Sequence, residues 1–236
     1  MTPLAQTRSL DVGRDEDRAE LLLRAAAAKL ETVNSYACTV LCQDRIGGTL
    51  RRQERIQSLF RAPQSVYLRW LPGGPFEGLQ ASYVPERDGR DKFMAREQGL
   101  KGLVGALRLH HRSRVVDSMY PHHFRTNETS AHFLVRLSVE LMARARTAGQ
   151  LRVVKIEELD DPLLRRRVTR ADCELSKDPN DALRWPRIEL FFEHETQLPL
   201  HLRLHDFDGG LYGEYAFADF RPNVSVPPSA FELKRR

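Results

Sequence analysis

Cysteine is scarce in this sequence, with three in 236 residues, which is too few for a disulfide scaffold. Cys38 and Cys42 fall four residues apart in an extended segment, about 13 Å at the usual strand rise, so they cannot bridge each other. Cys173 could reach one of them, but three small buried thiols are the simpler reading. Their spacing matches no zinc motif. Long apolar runs are also missing: nothing approaches the ~20 residues a spanning helix needs. The opening Met1-Thr2-Pro3-Leu4-Ala5 lacks the charged and apolar regions of a secretory leader. It suits a cytoplasmic protein, or a mature chain whose leader has been replaced by Met.

Catalytic signatures are lacking too. There is no G-x-S-x-G elbow, no H-E-x-x-H helix and no cysteine in a recognisable nucleophile context. Gly99, Gly102 and Gly105 lack the Lys-Ser/Thr ending of a phosphate loop, and their expected job is to loosen or bend backbone. Glu157-Glu158 and Asp160-Asp161 read as a polar turn, which is the wrong placement for acid–base work. No catalytic residue is nominated, and an enzyme is not expected.

Eight histidines invite a metal reading. His110-His111 and His122-His123 are adjacent pairs, and neighbours on a strand point to opposite faces. His201 and His205 share a face with Arg203, opposite a row of leucines, and are expected to be solvated. The expectation is therefore no metal and no cofactor. Charge adds little. The net +5 comes from 37 basic against 32 acidic residues, and the runs Arg51-Arg52, Arg165 to Arg167 and Lys234 to Arg236 read as solvated faces or tails. Aromatics such as Tyr67, Trp70 and Phe93 are not interleaved with them as a stacking platform requires, so nucleic acid is not an expected partner.

What the sequence has in quantity is alternation. Residues 1–14 are polar and aperiodic and read as a loose tail. From Asp15 to about Thr32 the period is helical, with Leu22, Ala26 and Leu30 on one face. The period then drops to two: Tyr36, Cys38, Val40 and Cys42 alternate with Ala37, Thr39, Leu41 and Gln43. Gly47-Gly48 turns the chain, and Ile56, Ser58 and Phe60 share the next face. Ala62-Pro63 breaks that run before Val66, Leu68 and Trp70.

Pro72-Gly73-Gly74-Pro75 is a turn, followed by expected strands at 76–84, 92–95 and 103–109, the first two joined by a hairpin at Asp88-Gly89-Arg90. A second helix, capped at Thr126 or Asn127, carries Phe133, Leu134, Leu137, Leu141 and Met142 as an apolar stripe ending before Gly149. Strands resume at 151–156, 166–175, 187–193, 199–205 and 211–220. About ten strands, two helices and no βαβ alternation predict a mainly β (α+β) fold: a curved antiparallel sheet in one domain over 15–236.

This order of elements resembles the bacterial lipoprotein-carrier superfamily (LolA, LolB and LppX-like proteins), and is most similar to an uncharacterised exported branch. The resemblance covers about residues 18–233. It is carried by Val33-Asn34-Ser35-Tyr36, by Arg61-Ala62-Pro63 before Val66 to Trp70, and by a closing block. That block comprises Ile188-Glu189-Leu190, Thr196-Gln197-Leu198-Pro199, Asp206, Gly209, Tyr215, Phe217, Asp219, Asn223 and Phe231.

The resemblance implies an incomplete β-barrel whose helices cover a concave face, and a periplasmic or exported setting. It also implies an apolar ligand, such as a lipid or a lipoprotein acyl chain, and an envelope protein as a further candidate partner. The expected cavity is built from Val66, Leu68, Trp70, Phe133, Leu137, Leu141, Ile188, Leu190, Leu200, Leu202 and Phe217. The carriers place an arginine directly before the proline of the third-strand break. Here that position is Ala62 and Arg61 lies one residue back, a shift that reverses the face of a strand residue. The alternative reading is an interaction module with a filled core, docking a partner on its outer face or sheet edge.

Overall fold

The computed structural model describes residues 7–97, 105–113, 116, 122–176 and 185–233. Among them run twelve strands, all paired antiparallel where their register is defined. They are β1 Ser35–Ile46, β2 Thr49–Leu50, β3 Glu54–Arg61, β4 Ser65–Trp70, β5 Gln80–Tyr83, β6 Lys92–Arg96, β7 Leu107–His110, β8 Arg152–Asp161, β9 Arg166–Glu174, β10 Arg187–Glu193, β11 Pro199–His205 and β12 Leu211–Pro222. The helices are α1 Thr7–Glu31, α2 Pro85–Asp88 and α3 Ala131–Thr147. Hydrogen bonding orders the strands β7-β6-β5-β4-β3-β1-β12-β11-β10-β9-β8, with β2 paired to β1. Among the described residues β7 and β8, the ends of that series, do not pair with each other, so the sheet is not closed into a barrel. Residues divide into two compact units, one made of Met1–Glu31 and Leu134–Glu214, the other of Thr32–Phe133 and Tyr215–Arg236.

In the second of these units, β1 and β3 bury alternate residues as the period-two pattern requires. Tyr36, Cys38, Val40, Cys42 and Asp44 face inward on β1, and Glu54, Ile56, Ser58 and Phe60 on β3. Tyr36 stacks on Phe60 at 4.9 Å between ring centroids, and His132 stacks on the same ring at 4.3 Å. The Ala62–Pro63 peptide is cis. Arg61 turns away from the inward row and lies over the ring of Phe231, 5.2 Å from its centroid. That phenylalanine closes a 3-10 turn at Pro228–Phe231, whose carbonyl accepts from Ser82 Oγ at 2.5 Å and Arg87 Nη1 at 3.0 Å.

Several local expectations are corrected: α1 begins at Thr7 rather than near Asp15, and α3 begins at Ala131, where Ser130 Oγ rather than Thr126 or Asn127 accepts from Phe133 N. The strand expected at 76–84 is shorter, because Pro72, Gly73, Gly74 and Pro75 hold 71–79 in turns. Trp70 N donates to Leu79 O at 2.9 Å across the base of this loop, and the strand begins only at Gln80. The hairpin expected at Asp88-Gly89-Arg90 is instead the single helical turn α2. Pro85 starts it, where no backbone donor is needed. The Asp88 carboxylate is buried and accepts from Val84 N and from Arg87. Of the strand expected at 103–109, residues 107–110 form β7, while 103 and 104 lie outside the described residues, as do Gly99 and Gly102.

The other unit contains β8 to β11 as a continuous antiparallel meander. Helix α1 packs on β8 through Ala19, Leu23, Ala26 and Leu30, which are fully or almost fully buried at helical spacing. Leu22, placed on that face by sequence, is only half-buried, because the stripe is centred one position further on. In α3 the buried row runs Leu134, Val135, Ser138, Leu141, Met142 and Ala145, and Leu137 sits half-buried at its margin. Cys38, Cys42 and Cys173 are free and buried.

Candidate functional site

A cavity of about 280 Å³ opens within the unit formed by 32–133 and 215–236. Strand alternation builds its wall: Leu68, Ala81 and Ala95 occupy successive strands β4 to β6 in register, through the pairs Leu68↔Ala81 and Ala81↔Ala95, and Ile56 on β3 stands opposite Trp70. Leu79, Phe93 and Phe124 add apolar surface, and Arg112 and Arg125 contribute positive charge to the lining. His111 also lines it, stacked on Phe93 at 4.7 Å, with its Nε2 buried and without a hydrogen-bond partner. Burial first, and then the charge of Arg125, push the His111 pKa down to about 4, so the ring is neutral near pH 7.

One part of this cavity is polar. Asp44 stands two residues past Cys42 on the inward face of β1, and Glu54 lies directly opposite Cys42 on β3. Asp44 Oδ1 accepts a short hydrogen bond from Tyr215 Oη, and Oδ2 accepts from His122 Nδ1 at 3.0 Å and Cys42 Sγ at 3.6 Å. His123 Nε2 is 3.9 Å from Oδ1. Trp70 Nε1 donates to Glu54 Oε2 at 2.6 Å, and His122 Nε2 lies 3.7 Å from that same oxygen.

Burial alone would raise the Asp44 pKa, but hydrogen bonds from His122 and Tyr215 and the nearby His123 hold it below the usual carboxylate value. Glu54 goes the other way. Its burial outweighs the help of His122 and Trp70 and raises it. The Cys42 thiol is pushed well up, by burial first and then by the two carboxylates.

Of the residues expected to line a cavity, Leu68 and Trp70 do so here. Val66 and Phe217 are buried in the same unit outside this lining, and Phe133 packs edge-on against the lining residue Phe124 at 5.8 Å. In the other unit Leu141, Ile188, Leu190, Leu200 and Leu202 are buried core residues and Leu137 is half-buried. The polar group Cys42, Asp44, Glu54, His122 and Tyr215 was not marked in the sequence as a site. The available signal was a carboxylate at the next inward position of each apolar alternation, Asp44 after Cys42 and Glu54 before Ile56.

His201 and His205 are not solvated. His201 has no exposed surface and His205 little, because acids on neighbouring strands fold against them. His205 Nε2 meets Glu189 Oε1 at 2.7 Å, and Arg203 Nε donates to Glu214 Oε1 at 2.6 Å. Asp161, expected in a polar turn, closes strand β8 and is buried. Glu157, Glu158 and Asp160 belong to the same strand. With no exposed surface, His201 cannot meet a substrate, and this network holds strands together.

A family model described as "Protein of unknown function (DUF1571)" matches residues 33–236. The chain belongs to the DUF1571 family. No curated protein matches this DUF1571 chain in sequence. Several solved structures are similar to it. An uncharacterised conserved protein from Thermus thermophilus has 10% identity and a TM-score of 0.49, covering 91% of this chain and 92% of that one. The Mycobacterium tuberculosis lipoprotein LppX has 11% identity and a TM-score of 0.46 over 88% and 96% of the two chains. A LolA superfamily protein from Nitrosomonas europaea has 12% identity and a TM-score of 0.38 over 91% and 97%. No helix among the described residues is long and apolar enough to cross a membrane.

Proposed function

We propose that this DUF1571 chain is a non-enzymatic binding protein of the bacterial cell envelope that shelters a single apolar chain bearing an acidic head. The observation that carries the reading is the cavity walled by Ile56, Leu68, Leu79, Ala81, Phe93 and Ala95, with Arg112 and Arg125 in the same lining. Each methylene moved from water onto such a wall is worth about 0.8 kcal/mol, so a handful of carbons supplies useful affinity. A cationic side chain then favours a carboxylate or phosphate head over a neutral one. Small-molecule pockets commonly measure about 300–1,000 Å³. At about 280 Å³ this one suits one acyl segment, not the several chains of a whole lipoprotein anchor. The envelope setting rests on the resemblance to the carriers.

Mass spectrometry of solvent extracts from natively purified protein tests this. A near-stoichiometric acyl amphiphile, absent from extracts of a control protein purified in parallel, is the expected result. An extract identical to the control, together with no uptake of a medium-chain fatty acid added to the protein, contradicts it.

A further inference from the structure

The polar part of the cavity brings together a thiol, a carboxylate and an imidazole whose ligand atoms all lie within 4.8 Å of one another. We propose that Cys42, Asp44 and His122 form a binding site for a zinc-type divalent transition metal.

The geometry is close to what such an ion needs. With bonds of ~2.3 Å to sulfur and ~2.0–2.2 Å to a carboxylate oxygen at a tetrahedral angle, the two donor atoms stand about 3.6 Å apart. Cys42 Sγ and Asp44 Oδ2 are 3.6 Å apart. The same construction puts a nitrogen and an oxygen donor about 3.4 Å apart. His122 Nδ1 lies 3.0 Å from Asp44 Oδ2 and within 4.8 Å of Cys42 Sγ, so side-chain rotations that bring the imidazole and the thiol up to about 1 Å closer admit the ion. The fold fixes two of the three donors, since Cys42 and Asp44 are i and i+2 on one face of β1.

The surroundings match as well. A histidine that holds a metal through one ring nitrogen donates the other N–H to a carboxylate or carbonyl in most sites. Here His122 Nε2 is buried without a hydrogen-bond partner and faces Glu54 Oε2 at 3.7 Å. Trp70 Nε1 fixes that carboxylate, and Tyr215 Oη fixes the second oxygen of Asp44. Charge is balanced too: thiolate and carboxylate together neutralise a divalent ion in a buried place, and the proton lost from the thiol passes to solvent. A set of one sulfur, one nitrogen and one oxygen selects zinc or cobalt over magnesium or calcium, which prefer all-oxygen shells. Three protein donors leave a fourth position of the tetrahedron open. The site is independent of whether an acyl chain binds.

Cobalt(II) titration of the full chain, stripped of metal, tests the assignment. The Cys38→Ser/Cys173→Ser double variant retains Cys42 alone, so a near-ultraviolet thiolate-to-cobalt charge-transfer band at one equivalent must come from it. Zinc should displace the cobalt and abolish the band. Glu54→Gln should weaken zinc binding by ~10–100-fold with the band still formed at high cobalt. Cys42→Ser, with its far-ultraviolet circular dichroism unchanged, should lose the band. Absence of a band in the double variant, or zinc affinity unchanged in a folded His122→Ala variant, overturns the proposal.

Discussion

The Nδ1 of His201 lies 2.5 Å from Oδ2 of Asp161, and neither side chain has exposed surface. Nε2 of the same ring meets Glu214 Oε1 at 3.0 Å, and Phe191 covers one face at 4.1 Å. Asp161 is itself held by the backbone N–H groups of Leu163 and Leu164, each at 2.8 Å. Removing the imidazole strands a buried carboxylate. The His201→Ala variant should lose about 3–5 kcal/mol of stability, read as a lower urea midpoint. The conservative Glu214→Gln change should cost less, since it retains a hydrogen-bonding oxygen.

The same triad sets a pH window. Burial by itself lowers the His201 pKa, but the hydrogen bonds and charges of Asp161 and Glu214 outweigh it and the net shift is upward from 6.5. Its contribution is complete below that ordinary value and is lost as pH rises through the raised one. Asp161 and Glu214 move the opposite way: burial raises both, yet the His201 hydrogen bonds bring them below their usual values. Their contribution is present above the usual carboxylate range and fades as pH falls through the lowered values. Urea midpoints measured across pH should fall on both sides of a maximum. The alkaline fall should be smaller in His201→Gln.

Tyr36 caps the second long helix from a distance in sequence. Its hydroxyl accepts from the backbone N–H of Ala131 at 2.9 Å in a buried setting. The Tyr36→Phe variant keeps the stacking on Phe60 but leaves that donor unpaired. It should cost about 1–3 kcal/mol by chemical denaturation.

Surface pairs should matter far less. Arg167 lies 3.6 Å from both Glu158 and Asp160, and all three are exposed. Arg167→Ala should change stability by no more than about 1 kcal/mol at moderate salt. A larger loss would mean that this face is not freely solvated.

These outcomes also mark where sequence reading ends. Local periodicity located β10 at Arg187–Glu193 and β11 at Pro199–His205 to the residue, because an aliphatic or aromatic residue recurs at every second position, Ile188, Leu190 and Phe192 in one and Leu200, Leu202 and Leu204 in the other. It failed for His201 because alternation reports which side of a strand a residue faces, not what another strand lays over that side. Asp161 and Glu214 are 40 and 13 residues away. The polar cluster of the cavity escaped for the same reason: Asp44 reaches Tyr215 across 171 residues and His122 across 78. Val66, Leu68 and Trp70 were legible as inward-facing residues because they lie on one uninterrupted row of β4. Proline and glycine marked the 71–79 turn correctly but not its length, which depends on where Leu79 pairs back to Trp70.

The central claim is that the cavity beside Leu68 and Ala81 takes up an apolar chain. Titration with an environment-sensitive fluorescent fatty acid tests it most directly, comparing the native chain with Ala81→Phe, in which the added ring fills the wall. Saturable binding, displaced by unlabelled fatty acid and weakened at least about tenfold in the folded variant, is the predicted result. No saturable binding, or affinity unchanged by a filled wall, would contradict it.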